Sequence, residues 1–303
     1  VRGQPMARRA LEVAACGLHN VLFSGPPGSG KSMLAQTLPT ILPPLTTQQC
    51  IETASIYSVA GYSVDRLFAG ERPFRAPHHS ASSRAMVGGG SSPRPGEISL
   101  AHQGVLFLDE LPEYPRSVLE VLREPLETGE VSISRVAGTV CYPARFALVA
   151  AMNPCPCGYF ADGTDRCQCS QAKVDRYQQR VSGPLLDRFD MRLALMAVPT
   201  EALLLGESQE ESSECVRERV VDVHKRQRLR QGKLNSELSG AEVQKMFNDT
   251  TDLAEPFMGM AKRLQLSARA CHRALRVART IADIDSREQL ALKDIMEALS
   301  YRQ

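Results

Sequence analysis

Eight consecutive residues restrict this chain more than any other stretch: Gly25-Pro26-Pro27-Gly28-Ser29-Gly30-Lys31-Ser32. They satisfy the pattern G-x-x-x-x-G-K-[ST], which needs a buried strand before it and a helix after it. Asn20 to Ser24 is a short apolar run of the kind that forms a buried parallel strand. A helix is expected from about Lys31 to Leu38, stopping before Pro39. The glycines allow the backbone to wrap its N–H groups around a phosphate, and the positive end of the helix faces the same anion. Lys31 is then placed to reach the β- and γ-phosphates of a nucleotide, and Ser32 to ligate Mg²⁺. A glycine-rich turn that merely contains a lysine is the plain alternative, and the flanking strand and helix argue against it.

A companion pattern lies downstream. Val105-Leu106-Phe107-Leu108 reads as a second buried strand, and its carboxyl end presents Asp109 and Glu110 side by side. Ligands bind at the carboxyl ends of parallel strands. Asp109 is therefore expected to hold Mg²⁺ through water and Glu110 to polarise an attacking water. Two acids after a strand are by themselves most often a solvated turn; behind a phosphate loop they become a functional pair. Phe146 to Met152 is a third buried strand, ending at Asn153.

The rest of the chain divides by composition. Pro5 to Cys16 is an amphipathic helix ended by Gly17, and Gln48 to Ser58 is another helix. Gly61 to Gly96 is basic and rich in Gly, Ser and Pro, without a period, and reads as an insertion beside the nucleotide fold. Pro115 to Thr128 is expected to be one helix, with Val118, Leu119, Leu122 and Leu126 on one face. Glu130–Ser134 and Thr139–Tyr142 flank a turn carrying Arg135 and Gly138, which predicts a hairpin. Glu207 to Glu214 is a polar, acidic linker. Beyond it five helical stretches follow: 216–230, 240–247, 252–264, 267–282 and 292–301. Strands alternating with helices and then a helical tail predict an α/β domain, residues 1–200, and an all-helical domain, residues 201–303.

The 303 residues carry 36 Lys and Arg against 34 Asp and Glu, so a uniformly basic nucleic-acid coat is excluded and any such contact must be local. No run of 18 apolar residues spans a membrane. The opening Val1-Arg2-Gly3-Gln4-Pro5 has neither an initiator Met nor an apolar leader, as expected for a fragment of a longer protein without a signal peptide. Nine cysteines, an odd number, point to a reducing compartment, hence the cytoplasm. Four of them form C-x-C-x₉-C-x-C: Cys155, Cys157, Cys167 and Cys169. Four thiolates could close a tetrahedral Zn²⁺ site, although paired ligands are more often spaced wider than C-x-C. Reduced, unligated thiols on a polar loop are the alternative. His78 and His79 read as ordinary loop histidines.

The phosphate loop, the Asp109-Glu110 strand end, Asn153 and the helical tail together resemble the AAA+ ATPases. In that family a polar residue at the position of Asn153 orients the lytic water. Leu185-Leu186-Asp187-Arg188-Phe189-Asp190 resembles the segment that, in the branch containing magnesium chelatase and the replicative MCM helicases, lends an arginine to the neighbouring subunit's nucleotide. Arg188 is that candidate, with a local ion pair to Asp187 or Asp190 as the alternative. Ser267-Ala268-Arg269 resembles the family's second sensor, which makes Arg269 the lid's candidate and leaves cis or trans action open. Arg273, Arg276 and Arg279 follow nearby, and several of these are expected on a solvated helix face.

Further segments resemble the ComM family of magnesium-chelatase-like ATPases over nearly the whole chain. They are Gly17-Leu18-His19-Asn20, Arg75-Ala76-Pro77-His78-His79-Ser80, Met152-Asn153-Pro154-Cys155-Pro156-Cys157-Gly158, Ser182-Gly183-Pro184-Leu185-Leu186-Asp187-Arg188 and Ala278-Arg279-Thr280-Ile281-Ala282-Asp283. The resemblance implies a five-stranded parallel sheet between helices with a helical lid, and an N-terminal Lon-like domain missing from this chain. It implies ATP and Mg²⁺ as cofactors and a homohexamer that acts as a helicase on single-stranded or branched DNA, promoting branch migration in natural transformation. The insertion and the hairpin would line the pore, with Arg135 contacting DNA phosphates. The rival reading is a chelatase- or chaperone-type motor that remodels a protein partner.

Overall fold

The computed structural model describes residues 3–90, 93–135, 138–197, 211–248 and 250–302, the side chains of Arg135 and Thr251 excepted. Nine strands occur among them: β1 (Val21–Ser24), β2 (Phe74–Arg75), β3 (Gly88–Gly89), β4 (Arg94–Pro95), β5 (Val105–Leu108), β6 (Glu130–Arg135), β7 (Gly138–Pro143), β8 (Ala147–Met152) and β9 (Met191–Ala194). Five of these make one sheet in the order β2-β5-β8-β1-β9, parallel throughout. Val21 pairs with both Val149 and Met191, and Val105 with Ala147. β6 and β7 form the expected antiparallel hairpin, in register from Glu130–Pro143 to Arg135–Gly138.

Alternation along the strands explains why both faces of the sheet are covered. Phe23, Val105, Phe107, Val149 and Ala151 enter one apolar cluster; Leu22, Leu106, Leu108, Leu148 and Ala150 enter another. A strand buried on both faces must be apolar at every position, because successive side chains point oppositely. The helices Pro5–Gly17, Lys31–Ile41 and Ala268–Ile284 cover the first face. The lid therefore shares its core with the sheet: Leu275, Ala278 and Ile281 lie in the same cluster as Phe23.

Several sequence expectations are corrected. The segment 61–96 is not wholly outside the nucleotide fold, because its Phe74–Arg75 forms the edge strand beside β5. Two residues are too few to show a period. The helix after the phosphate loop does not stop before Pro39 but runs to Ile41. Pro39 removes one N–H near the end of the helix, and buried Leu38 and Ile41 anchor that last turn. The helix expected over 115–128 is broken into Arg116–Glu120 and Pro125–Thr128, with Pro125 opening the second piece, where its missing N–H costs least. The left-handed cap of the first helix is Leu18, not Gly17. Gly17 is required because a Cβ there would meet the His19 ring at 2.1 Å. The linker expected over 207–214 ends early, since a helix begins at Ser213; residues 207–210 lie outside the described residues. No helix among the described residues is long and apolar enough to cross a membrane.

Candidate active site

The phosphate loop joins the carboxyl end of β1 to the helix Lys31–Ile41. Gly28 and Gly30 have φ of 78° and 86°, a region costly for side chains. Gly25 is crowded rather than twisted, since a Cβ there would lie 2.5 Å from the Leu195 carbonyl oxygen. Lys31 Nζ donates to the carbonyls of Gly25 and Pro26 at 2.7 and 2.8 Å, and to Asn153 Oδ1 at 3.2 Å. Burial holds the Lys31 ammonium below its ordinary pKa, and the charge of Asp109 opposes that. The first N–H groups of the helix lack intrahelical partners, as at every helix start. The loop thus presents one cation and a set of N–H donors to an anion.

Asp109 and Glu110 follow β5, and Asp109 faces the loop. Ser32 Oγ donates to Asp109 Oδ2 at 2.7 Å. Two hard oxygens side by side at a phosphate loop are the donor set that suits Mg²⁺. Glu110 has φ of 51°, and its carboxylate lies 3.2 Å from His79 Nδ1. His79 packs at a tilt against His78 and makes an edge contact with buried Tyr114. In sequence His79 reads as an ordinary loop histidine, and its place beside Glu110 comes only from the fold. Asn153 follows β8, next to β1, so Lys31, Ser32, Asp109, Glu110 and Asn153 all stand at the carboxyl end of the sheet.

Arg188 and Arg269 are not brought there. Arg188 lies three residues before the start of β9, at the amino end of the sheet, where its carbonyl accepts from Asn20 Nδ2 at 3.0 Å. Asn20 precedes β1 and Gly25 follows it, and four residues of strand span about 13 Å. Arg188 is 4% exposed, and its guanidinium is held by Glu127 and the Pro184 carbonyl. The alternative pairing with Asp187 or Asp190 does not occur: Asp187 lies near Arg192, and Asp190 is taken by Arg273 at 2.7 Å. Burial lowers the pKa of Arg188, against the pull of Glu127. Arg269 lies 3.8 Å from the same Glu127 carboxylate. Both arginines line a polar cavity of about 230 Å³ with Asp187, His272, Arg273 and Arg276.

Arg269 is exposed, but Arg273, Arg276 and Arg279 do not form a solvated face. Arg279 is 3% exposed and binds Asp283 through Nε at 3.1 Å and a terminal nitrogen at 2.8 Å. Arg273 also donates to the Arg188 carbonyl at 2.9 Å, tying the lid to the end of the sheet. Burial would push Asp190 toward its neutral acid, but Arg273, His19 and the Asn20 N–H keep its pKa well below the usual carboxylate range.

The four cysteines of the 155–169 loop converge. The Sγ atoms of Cys155, Cys157 and Cys167 are 3.3, 3.8 and 3.7 Å apart, and all four lie within 4.8 Å of one another. Tetrahedral ligands at about 2.3 Å from zinc stand about 3.8 Å apart. None of the nine cysteines is in a disulfide. Arg135 ends β6, opposite Gly138; its side chain and residues 136–137 lie outside the described residues. The hairpin is tied to the segment 61–96 by Tyr142, whose hydroxyl donates to the Pro93 carbonyl at 2.8 Å.

A parallel sheet ordered in this way, a phosphate loop after its inner strand β1, an acidic pair after β5 with β8 between the two, and a helical lid define the AAA+ nucleotide-binding fold. Family models confirm it: one described as magnesium chelatase, subunit ChlI, matches residues 1–203, and its C-terminal counterpart matches 210–302. The chain belongs to this magnesium-chelatase-like AAA+ family, and within it to the ComM and YifB group. It is 49% identical to the uncharacterized protein YifB of Salmonella typhimurium, over 100% of this chain and 59% of that protein. It is 48% identical to the competence protein ComM of Haemophilus influenzae, over 99% of this chain and 58% of that protein. The magnesium-chelatase 38 kDa subunit of Cereibacter sphaeroides is 27% identical, over 50% of this chain and 51% of that protein. The chain thus spans under two thirds of the length of the curated relatives that match it throughout.

Proposed function

We propose that this chain is the ATP-hydrolysing part of a cytoplasmic ring motor, a homohexamer that acts as a DNA helicase and promotes branch migration in transformation and recombination. One observation carries the reading: the groups needed for phosphoryl transfer are divided between opposite ends of one sheet. Lys31, Ser32, Asp109, Glu110 and Asn153 stand at the carboxyl end, and Arg188 and Arg269 stand together at the amino end. A ring in which each chain lends Arg188 and Arg269 to its neighbour's nucleotide completes every site. Their shared carboxylate, Glu127, supports trans action for both, because it keeps the two arginines in one cluster until a phosphate replaces it.

In such a site Lys31 exchanges the loop carbonyls for phosphate oxygens. Ser32 and Asp109 would hold Mg²⁺, which when bound neutralises charge on the β- and γ-phosphates. Glu110 polarises the attacking water, and Asn153 orients it. Kinship with a protein named for competence supports DNA as the substrate. The test is the ATPase rate with and without single-stranded DNA, together with the oligomer seen by light scattering with a non-hydrolysable ATP analogue. Stimulation by DNA and a hexamer are expected. A monomer whose ATPase ignores DNA but responds to a protein partner would instead place it with the chelatase-type motors.

The hairpin is the proposed DNA contact. The net charge of +2 does not hold DNA unaided, so affinity must come from ordered local cations such as Arg135. Arg135→Ala is expected to weaken binding on all sequences alike and to reduce the salt slope by about one for each phosphate that is no longer neutralised. DNA-independent ATPase should survive. Fluorescence anisotropy at several salt concentrations, on protein verified as hexameric, checks this; unchanged affinity and slope would make the hairpin a packing element only.

Cys155, Cys157, Cys167 and Cys169 form, on this reading, a zinc site. Protein purified under reducing, chelator-free conditions should carry about one Zn²⁺ per chain, the stoichiometry of a four-thiolate site.

A further inference from the structure

The cysteine loop does not stand apart from the phosphate loop. Gly158, next to Cys157, has φ of 88°, and a Cβ on it would lie 2.6 Å from Pro27 Cδ and 2.8 Å from Pro27 Cγ. Only a residue without a side chain can bring the two loops this close. The same Cβ position lies 3.9 Å from Asn153 Cγ. Cys155, fully buried, is two residues after Asn153. Gly158 N–H donates to the Cys155 carbonyl at 3.0 Å, which closes the turn that carries the first two thiols. One short turn therefore holds two of the four thiols, meets Pro27 of the phosphate loop and continues from β8 through Asn153.

The loop has little else to fix it in place. Between residues 158 and 170 it contains no helix or strand, and its side chains are mostly exposed or half-buried. Its internal bonds are local ones, such as Arg166 to Asp162 at 2.8 Å. A loop of this length without a core needs a cross-link to keep one shape, and a tetrahedral metal supplies it.

We infer that a zinc ion on Cys155, Cys157, Cys167 and Cys169 is a strut for the nucleotide site: by locking the turn it seats Gly158 against Pro27 and keeps the phosphate loop and Asn153 in register for ATP. The inference rests on the zinc reading given above. Zinc takes no part in the chemistry. Gly158 is a positioning residue that acts through Pro27.

Binding of a fluorescent mant-ADP probe, with Mg²⁺ in excess, separates the two ideas. Zinc content by elemental analysis is measured on every sample. Wild-type protein is expected to carry one zinc. Removal of that zinc with a zinc-selective chelator should weaken probe binding at least tenfold, and an equivalent of zinc should restore it. Gly158→Ala should retain zinc yet bind the probe at least tenfold more weakly, because its Cβ displaces Pro27. Gly163→Ala is the control: it has a similar φ of 81° in the same loop but meets nothing within 4 Å, so zinc and affinity should both persist. Absence of zinc from the wild-type protein would refute the metal reading itself. Zinc present, with probe affinity indifferent to its removal and to Gly158→Ala, would refute the strut while leaving the zinc site standing. If Gly158→Ala does not fold, the extraction and restoration arm alone decides.

Discussion

Lys31→Ala is expected to abolish nucleotide binding, whereas Glu110→Gln is expected to bind normally and fail to hydrolyse. The two side chains sit at the same end of the sheet but act on different states. Lys31 is a buried cation already bonded to four oxygens, two of them loop carbonyls that a nucleotide's phosphates would replace. A hydrogen bond to a charged group contributes about 1.5–3 kcal/mol. Removing one such bond lowers affinity roughly 10- to 100-fold, and Lys31 reaches two phosphates. The carboxylate of Glu110 is directed elsewhere; its partner is His79 at 3.2 Å. Its proposed work is on the water, where general-base catalysis contributes about 10²- to 10⁴-fold. Equilibrium binding of a labelled nucleotide and steady-state phosphate release check the pair. Equal loss of affinity in both variants would overturn the division of roles.

Arg188→Ala is expected to leave ATP affinity near that of the unchanged chain and to lower turnover by about 10³-fold or more, the contribution of an arginine finger. Arg188→Lys should rescue little, since an ammonium lacks the planar fork that grips a phosphate. Mixing decides between cis and trans action. Arg188→Ala protein keeps an intact phosphate loop, and Lys31→Ala protein keeps an intact arginine. Interfaces pairing the first chain's loop with the second chain's arginine should recover activity that neither variant has alone. If mixed hexamers form and no activity returns, Arg188 does not act in trans. Arg188 is also buried, so its removal leaves a gap beneath the half-exposed Glu127, and thermal stability must be followed alongside. Glu127→Gln provides the companion measurement: it loosens the hold on Arg188 without deleting the arginine.

How much of the molecule is legible in its sequence follows the range of the interactions. The phosphate loop, the acidic pair, Asn153 and the hairpin lie in short segments whose residue order alone defines their geometry. The convergence of thiols across C-x-C-x₉-C-x-C is legible as a possibility, because neighbours in sequence stay neighbours in space. The two edges of the sheet are not: β2 is only two residues long, and β9, as short as β1 and β5, has no phosphate loop or acidic pair after it to mark it. Arg279 and Arg273 look like any surface arginines until Asp283 and Asp190 are seen beneath them.

By itself, then, the order of residues determined the nucleotide chemistry and the parallel α/β plan. Both depend on local patterns, glycines where the backbone must bend and apolar runs where a strand is buried on two faces. Only the tertiary structure decided where the arginines stand. Arg188 is far in sequence from Lys31, and that separation has no direction until β1 and β9 pair side by side. Once they do, the phosphate loop leaves one end of the strands and Arg188 enters at the other. The same holds for Gly158 and Pro27, and for His79 and Glu110: each contact joins loops distant in the chain, and each exists because parallel strands collect their carboxyl-end loops at one end of the sheet.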